Sequence, residues 1–338
     1  MDSSYSKSNQ KELLNCGTFP KYVEFQINSR CNANCTICPY EEMAKKYPAM
    51  IMPDEGIEKI ISECDAHKSE IIRMIPYLNS EPTLDKRFID VLRRIKSGGH
   101  FVEVSTNMSG KTKEKMEAIV KEKLIDDFKI SFFGGTEELY KQLMPNLNFH
   151  KVVASINAFL EINQANGNPI DVEIIVVLGP WIDMEENMNH IRRLFPNVRI
   201  HPYGFLDRAG SVKGHSNSKR LQDEESLRTH SLAGCKLKRP FERTCIMANG
   251  DVILCSQDWD REEVVGNVFE TSIKEVWNGV GFQEARQRVI GQLETPNSYI
   301  CKRCKLALLS SKESGEEKVE MNFLGDRYLT DKDEKLIK

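Results

Sequence analysis

The stretch YVEFQINSRCNANCTICPY, residues 22–40, joins a strand-like segment to three closely spaced cysteines. Apolar residues alternate with polar ones up to Ile27, which is typical of a strand. Cys31, Cys35 and Cys38 then follow in a C-x3-C-x2-C pattern. Three thiols are one fewer than a closed tetrahedral zinc site needs. Since clustered cysteines outside a secreted protein more often bind metal than form disulfides, the stretch predicts a metal centre with one open position.

From about residue 20 to 205, strand-like and helix-like stretches alternate. Such alternation predicts an α/β fold with a parallel sheet and right-handed crossovers. A doubly wound sheet and a closed or partly closed βα barrel both fit, and both gather functional groups at the carboxyl ends of the strands, where the cysteine loop lies. We predict strands at 22–27, 70–78, 101–107, 127–135, 171–179 and 197–205, and helices at 53–64, 85–99, 113–124, 150–163 and 186–195.

The charge and hydropathy of the chain disfavour several classes of function. Of 338 residues, 47 are Lys or Arg and 50 are Asp or Glu, so the net charge of −3 gives no global attraction to nucleic acid or anionic lipid. The amino terminus is polar and lacks the apolar core of a signal peptide, and the longest apolar runs are too short to span a bilayer. We expect a cytoplasmic protein that does not bind membranes and does not act on nucleic acid.

A second group of cysteines lies between residues 235 and 304, which hold five of the ten in the chain. Within this group, the stretch MANGDVILC predicts a β-hairpin, because Asn249-Gly250 is a strong two-residue turn signal between apolar arms. A structural zinc ribbon and an iron–sulfur centre both fit the spacing of these cysteines.

A polar segment rich in Gly and Ser, residues 206–220, ends the regular alternation and predicts a domain boundary. The predicted organisation is a polar leader at 1–18, a βα domain at 19–210, a smaller cysteine-bearing domain at 211–305 and a charged tail at 306–338.

The first cysteine run resembles the signature of radical S-adenosylmethionine (SAM) enzymes. A four-iron cluster held by three cysteines leaves one iron without a protein ligand. In that family SAM binds this iron, and one electron from the cluster cleaves SAM to methionine and a 5′-deoxyadenosyl radical, which takes a hydrogen atom from the substrate. The resemblance implies a partial (β/α)6 barrel, a [4Fe-4S] cluster on Cys31, Cys35 and Cys38, and SAM as cofactor.

Polar residues at successive strand ends strengthen this resemblance. The segment YLNSEPTLDKRF is similar to the family's Gly-Glu-Pro segment, with Glu81 matching the acid and Ser80 standing where glycine is expected. The family usually has an aromatic residue just before the third cysteine, where this chain has the apolar Ile37. The residues that the resemblance assigns to SAM binding are Ile37, Tyr40, Glu81, Ser105, Asn107 and Ser131.

The second cysteine group resembles the SPASM and shorter Twitch extensions of radical SAM enzymes, which carry auxiliary four-iron clusters. The spacing C-x14-G-x4-C from Cys235 to Cys255 matches their opening motif, and Cys301 and Cys304 then complete four ligands. The resemblance implies a small C-terminal SPASM/Twitch-like domain with one auxiliary [4Fe-4S] cluster. The remaining Cys245 could replace one of the four ligands, pack in the hairpin, or donate a hydrogen atom to the substrate.

By analogy with Twitch-bearing dehydrogenases of aminocyclitols, the leading hypothesis is an oxidoreductase or epimerase acting on a small hydroxylated metabolite such as a sugar or aminocyclitol. Cys245 is the candidate hydrogen donor, and Arg208 is the candidate substrate ligand. The alternative is a SPASM-type maturase that crosslinks, dehydrogenates or epimerises a ribosomal peptide or protein. A third hypothesis is a non-catalytic metal scaffold or a nucleic-acid binder built on zinc. Reductive cleavage of SAM implies an electron donor such as flavodoxin or ferredoxin.

Overall fold

Six parallel strands follow one another in chain order. The computed structural model describes residues 14–109, 112–179, 182–212, 230–313 and 316–321. A single parallel bridge between Met74 and Val102 joins the first two strands to the other four. Because the strand order never reverses, the sheet is the predicted partial barrel and not a doubly wound sheet. The strands are β1 Tyr22–Phe25, β2 Arg73–Ile75, β3 Glu103–Thr106, β4 Asp127–Ser131, β5 Asp171–Leu178 and β6 Arg199–Gly204.

Helices connect the strands and cover the outer face of the barrel. In the later helices a side chain closes the first turn: Asn148 and Asp183, for example, accept hydrogen bonds from backbone N–H groups three residues later. Sequence periodicity misses the first helix because it buries no residue. No helix in the described ranges is long and apolar enough to cross a membrane. The helices are α1 Tyr40–Lys46, α2 Asp54–Ala66, α3 Phe88–Ser97, α4 Lys113–Lys121, α5 Glu137–Leu143, α6 Phe149–Ala165 and α7 Met184–Leu194.

The two faces of the barrel strands differ in chemistry. Val23 and Phe128 are fully buried and belong to the main hydrophobic core between strands and helices. On the opposite, inner face, Arg73 and Lys129 form ion pairs with Glu103, at 2.8 and 2.9 Å. Removing such charges from water is costly unless each is paired. The inside of the barrel is therefore a polar and charged space.

The carboxyl-terminal part of the chain adds strands to the barrel sheet. β8 pairs in parallel with β1, with Tyr22 opposite Arg243 and Phe25 opposite Ile246. β9 and β10 continue the sheet in antiparallel fashion, and the β8–β9 turn is the hairpin predicted at Asn249-Gly250. The elements are β7 Ser231–Cys235, α8 Arg239–Glu242, β8 Arg243–Ile246, β9 Asp251–Ile253, β10 Val264–Asn267, α9 Ile273–Asn278, α10 Val280–Val289 and α11 Ile300–Arg303.

The predicted charged tail, residues 306–338, begins with two strands. β11 Ala307–Glu313 pairs with β7, and β12 Glu316–Met321 adds to its other side. The run from Ala307 to Leu309 is buried, and Ala307 lies opposite Cys235. These apolar residues explain why the beginning of the segment is folded despite the charge that follows.

We predict that Ile246→Ala lowers the free energy of unfolding by about 2–5 kcal/mol, because Ile246 is fully buried at the pairing of β8 with β1. Denaturant unfolding of the full chain is the measurement. The matched control is Ile72→Ala, since Ile72 is 49% exposed and its truncation should change stability by about 0.5 kcal/mol or less. Equal destabilisation by the two changes would contradict the placement of β8 in the sheet.

Candidate active site

The three amino-terminal cysteines lie in the loop between β1 and α1, at the carboxyl end of the barrel. The loop is folded back on itself, since the Tyr40 hydroxyl accepts a hydrogen bond from the Cys31 N–H at 2.7 Å and the Cys38 N–H donates to the Cys35 carbonyl at 3.0 Å. The loop is also anchored to α5, because the Thr36 N–H donates to the Leu143 carbonyl at 3.0 Å. Together these bonds hold the three thiols close to one another.

Burial makes the thiolate forms of these cysteines unfavourable in the protein alone. It raises the pKa of the Cys31 thiol to about 12 and the pKa of the Cys38 thiol above its ordinary value. The pKa of Cys35 is raised well above its ordinary value, first by burial and then by the negative charges of the other two thiolates. A cationic iron centre would remove this penalty, because metal binding displaces the thiol protons. The loop thus has the chemistry of a cluster site.

A buried carboxylate ties the ends of β2 and β3 together beside this loop. Glu81 is only 2% exposed, and its Oε1 accepts from the Thr83 N–H at 3.2 Å and the Thr106 hydroxyl at 2.7 Å. The Thr83 hydroxyl donates to the same oxygen, and the Asn107 N–H donates to Oε2 at 2.7 Å. Because both carboxylate oxygens already accept hydrogen bonds, these contacts support a positioning role for Glu81. Direct contact of its side chain with SAM stays a prediction.

Asn107 connects the end of β3 to the cysteine loop. Its Nδ2 donates to Asn32 Oδ1 at 3.0 Å, and its Oδ1 accepts from the Ser109 N–H at 2.9 Å. Asn32 in turn donates to the Ser109 hydroxyl at 2.8 Å. Asn32 and Ser109 were not predicted, because a single polar residue in a loop carries no periodic or motif signal. The three side chains form a closed set that fixes the loop against the barrel.

The other residues assigned to SAM occupy the same end of the barrel. Ser105 and Ser131 are partly exposed at the ends of β3 and β4, on the inner face that also carries Lys129. Ile37 is buried in the core. The Ser80 hydroxyl, where the family has glycine, is buried and has no hydrogen-bond partner in the described part of the chain. A polar atom left without a partner at this position fits a ligand that is bound beside it.

Four of the five carboxyl-terminal cysteines surround one cavity. Cys235, Cys255, Cys301 and Cys304 line a space of about 420 Å³, including its opening to solvent, together with apolar residues and Arg239. Burial raises the pKa of Cys255 to about 12, although the nearby Arg239 charge opposes that shift. Thiols spread around a cavity suit a multi-iron cluster better than one zinc ion.

Cys245 does not belong to this group. It lies on β8, is fully buried, and its Sγ is 3.5 Å from Glu24 Oε2 on the inner face of the barrel. Glu24 also accepts a hydrogen bond from Arg243 at 3.0 Å. Burial, and then the Glu24 charge, raises the pKa of the Cys245 thiol well above its ordinary value. This cysteine is therefore a protonated thiol at neutral pH.

Arg208 lies close to both cysteine groups. It follows β6 in the left-handed backbone region, and its Nε is buried without a hydrogen-bond partner in the described ranges. Burial, and also the positive charge of Arg239, lowers the pKa of its guanidinium, while Asp207 and any thiolate form of Cys38 or Cys304 would oppose the shift. Its neighbours therefore include a thiol from each of the two groups. This placement supports a role near the clusters at least as well as the predicted contact with substrate.

Comparison with protein-family models identifies the family to which the barrel belongs. The model of the radical SAM superfamily matches residues 25–194, half of the chain, and includes the three-cysteine loop and all six SAM positions. The chain belongs to the radical SAM superfamily. A second model, SPASM, an iron–sulfur cluster-binding domain, matches residues 235–305, which hold the second cysteine group. The predicted resemblances to radical SAM enzymes and to their SPASM extension are confirmed.

Curated relatives match only part of the chain. A GTP 3′,8-cyclase of Limosilactobacillus fermentum is 28% identical over 139 residues, 40% of each chain. A Pyrococcus furiosus protein, named as the cofactor-modifying protein of tungsten-containing aldehyde ferredoxin oxidoreductase, is 31% identical over 105 residues, 29% of this chain and 27% of its own. The chain spans less than half of the length of the curated relatives that it matches.

Two solved structures resemble the chain over most of its length. Streptococcus suis SuiB bound to the precursor peptide SuiA gives a TM-score of 0.63 at 17% identity, covering 88% of this chain and 72% of SuiB. BtrN in complex with AdoMet and 2-DOIA gives a TM-score of 0.52 at 14% identity, covering 84% of this chain and 92% of BtrN. At these identities the likeness establishes the fold alone.

Membership in the superfamily identifies the cofactors. The radical SAM domain of this protein binds a [4Fe-4S] cluster and SAM, and its SPASM domain binds auxiliary iron–sulfur clusters. The residues present fit these groups, with a buried three-thiol loop, an unpartnered Ser80 hydroxyl beside it, and a four-thiol cavity. We propose Cys31, Cys35 and Cys38 as ligands of the first cluster, and Cys235, Cys255, Cys301 and Cys304 as ligands of the auxiliary cluster.

We predict that Cys255→Ser lowers the iron content of anaerobically reconstituted protein from about eight to about four atoms per chain, because one four-iron cluster is lost. Cys245→Ser is the matched control. It should keep about eight iron atoms per chain, because Cys245 lies outside the four-thiol cavity. Iron and sulfide analysis with Mössbauer spectroscopy makes the measurement. Loss of iron in Cys245→Ser would show that the ligand set is wrong.

We predict that Glu81→Gln weakens SAM binding about tenfold, equivalent to about 1.4 kcal/mol, while both clusters still assemble. An amide NH₂ would face the N–H and O–H donors of Thr83, Thr106 and Asn107 and leave some of them unpaired. Equilibrium dialysis with labelled SAM measures the affinity. Glu117→Gln, on the solvent side of α4, is the control, and unchanged affinity in Glu81→Gln would rule out the positioning role.

Proposed function

We propose that the protein is a radical SAM oxidoreductase that dehydrogenates a small hydroxylated metabolite such as a sugar or aminocyclitol. Cys31, Cys35 and Cys38 would hold the cluster, which together with SAM would supply a 5′-deoxyadenosyl radical able to take a hydrogen atom from carbon. The observation that carries the proposal is a polar and charged barrel interior with the cysteine loop at the carboxyl end of its strands, together with a four-thiol cavity. An electron donor such as flavodoxin or ferredoxin is part of the proposal, since the radical is made by one-electron reduction.

The inner face of the barrel suits a substrate with several hydroxyl groups. Besides the ion pairs around Glu103, His201 Nδ1 lies 3.3 Å from Glu173 Oε2, and the His201 ring stacks on Tyr203 with their centroids 4.4 Å apart. Fixed donors and acceptors of this kind can orient hydroxyl groups but offer little to an apolar molecule. The partly exposed Ser105 and Ser131 add hydroxyls at the end nearest the cysteines.

The four-thiol cavity supports oxidation as the outcome. Four protein thiols leave an auxiliary four-iron cluster no open iron, so it can take up an electron but cannot bind substrate through iron. The positive charge of Arg239, which lines the cavity, favours the more negative reduced form. Arg208, near both thiol groups, would stabilise added negative charge in the same way. Loss of one hydrogen atom, one proton and one electron from a carbinol gives a ketone.

Epimerisation is the second candidate, and Cys245 favours it. Its thiol is buried on the inner face, and burial keeps it protonated, so it retains a hydrogen atom to donate. The Glu24 carboxylate at 3.5 Å holds the S–H in place. Transfer of that hydrogen atom to the opposite face of a substrate radical would invert the carbon without net oxidation of the substrate. The thiyl radical left on Cys245 would then be reduced to the thiol by one electron from the proposed electron donor and one proton.

A peptide-modifying maturase is the alternative substrate class. Its support is the fold likeness to SuiB, whose structure contains the precursor peptide SuiA.

We expect reconstituted protein to release 5′-deoxyadenosine from SAM when dithionite is added, and Cys38→Ala to lose this activity entirely. A panel of aminocyclitols and sugars with deuterium on each carbinol carbon should include one that transfers deuterium to 5′-deoxyadenosine. Formation of a ketone that persists in Cys245→Ala supports dehydrogenation, whereas an inverted alcohol that is lost in Cys245→Ala supports epimerisation. The absence of 5′-deoxyadenosine would refute both.

A further inference from the structure

A pocket at the rim of the barrel has a cationic side chain but no acidic one. We call it the rim pocket and define it by Tyr40, Tyr47, Asn79, Met247, Trp259 and Arg261, which are among the residues that line about 470 Å³ of space, including its opening to solvent. It lies beside the cysteine loop, because Tyr40, which lines it, accepts a hydrogen bond from the Cys31 N–H through its hydroxyl. None of its lining residues is a proposed cluster ligand.

Among the described residues, Arg261 is the only charged one that lines the rim pocket. Its guanidinium carbon lies 4.0 Å from the centroid of the Tyr47 ring, and it forms no ion pair with any residue in the described ranges. Stacking uses the face of the guanidinium and leaves its N–H edge available. Arg261 is also one of the few non-glycine residues in the left-handed backbone region, so the loop is folded in an unusual way that places it here.

The two acids whose charges act on Arg261, Asp258 and Asp251, already have other partners. Asp258 is fully buried, and its two oxygens accept the N–H groups of Glu262 and Glu263, both at 2.9 Å. Asp251 Oδ1 accepts from Asn267 Nδ2 at 2.9 Å, and Asn249 donates to its other oxygen. Arg261 therefore keeps its hydrogen-bonding capacity for something other than these carboxylates.

Trp259 supplies a second unused donor in the same pocket. Its side chain is 9% exposed, and its Nε1 is buried without a hydrogen-bond partner in the described part of the chain. An indole N–H can only donate, and a buried donor without an acceptor is costly. An acceptor bound in the rim pocket would remove that cost.

The remaining walls are preformed and mostly apolar. Tyr47 donates its hydroxyl proton to the Asp260 carbonyl at 2.7 Å, and Lys46 pairs with the Asp260 carboxylate at 2.8 Å, so α1 is fastened to the loop that carries Trp259 and Arg261. Gln26 is engaged at both ends of its amide. The other walls are formed by Met43, Ala44, Pro48, Ala49 and Met247.

We propose that the rim pocket binds a carboxylate on the substrate, through the guanidinium edge of Arg261 and the indole N–H of Trp259. A planar guanidinium matches the two oxygens of a carboxylate, and the apolar walls accept the adjoining carbon skeleton. The proposal names the substrate class as a hydroxylated carboxylic acid and rests on the function proposed above. The pocket adjoins the cysteine loop, so a ligand held there lies next to the site of hydrogen abstraction.

The test is ligand binding to the full chain with both clusters reconstituted. The sequence has three tryptophans, so 5-fluorotryptophan labelling gives three ¹⁹F signals, and Trp259→Phe identifies the signal of Trp259. The probes are 3-hydroxybutyrate, its uncharged amide and inorganic phosphate. We expect 3-hydroxybutyrate to shift the Trp259 signal saturably, the amide to have no such effect, and phosphate to bind more weakly than the carboxylate.

Two variants decide whether Arg261 is responsible. Arg261→Gln should weaken 3-hydroxybutyrate binding at least tenfold, whereas Arg93→Gln, an exposed arginine on α3 paired with Glu122, should leave it unchanged. No saturable shift, an equal shift by the amide, tighter binding of phosphate, or equal binding by Arg261→Gln would each overturn the proposal. Release of 5′-deoxyadenosine by the same preparations reports on the function proposed above, so failure of the two proposals can be told apart.

Discussion

The arrangement of residues at the carboxyl end of the barrel depends on a single buried carboxylate. Glu81 follows β2, yet it accepts hydrogen bonds from Thr83, Thr106 and Asn107, which belong to its own turn and to the end of β3. Burying a carboxylate away from water is expensive, and here the cost is offset by four donors. Asn107, held in this way, reaches Asn32 in the cysteine loop. Strand pairing, carboxylate and cysteine loop thus form one continuous set of contacts.

The same sheet fixes the second cysteine group relative to the first. β8 is a direct neighbour of β1, so the region with the auxiliary cysteines is built onto the barrel edge and not attached through a free linker. Lys46 and Tyr47 add contacts from α1 to Asp260, beyond Cys255. Because Arg208 lies near a thiol of each group, the protein brings one positive charge to the region between the two. A rigid arrangement of this kind suits electron transfer, which needs a fixed distance.

Local sequence signals predicted the barrel and the identity of the cysteine groups. Alternating apolar residues such as Val23 and Phe25, and the Asn249-Gly250 turn, each specify a single element, and the cysteine spacing specifies a cluster loop. What the sequence did not show depends on contacts between distant residues. The pairing of Glu24 with Cys245 joins positions 221 residues apart. The separation of Cys245 from the four-thiol cavity likewise follows from the pairing of β8 with β1. The spacing of the cysteines in the sequence does not predict it.

The central claim is that the loop of Cys31, Cys35 and Cys38 holds a cluster whose fourth iron is left for SAM. Electron–nuclear double resonance on the reduced protein tests it directly, with SAM labelled with ¹⁵N in its amine and ¹⁷O in its carboxylate. Cys255→Ser, which removes the auxiliary signal, is the sample of choice. The account predicts hyperfine coupling from both labels to the cluster. Bound SAM without coupling from either label would contradict it.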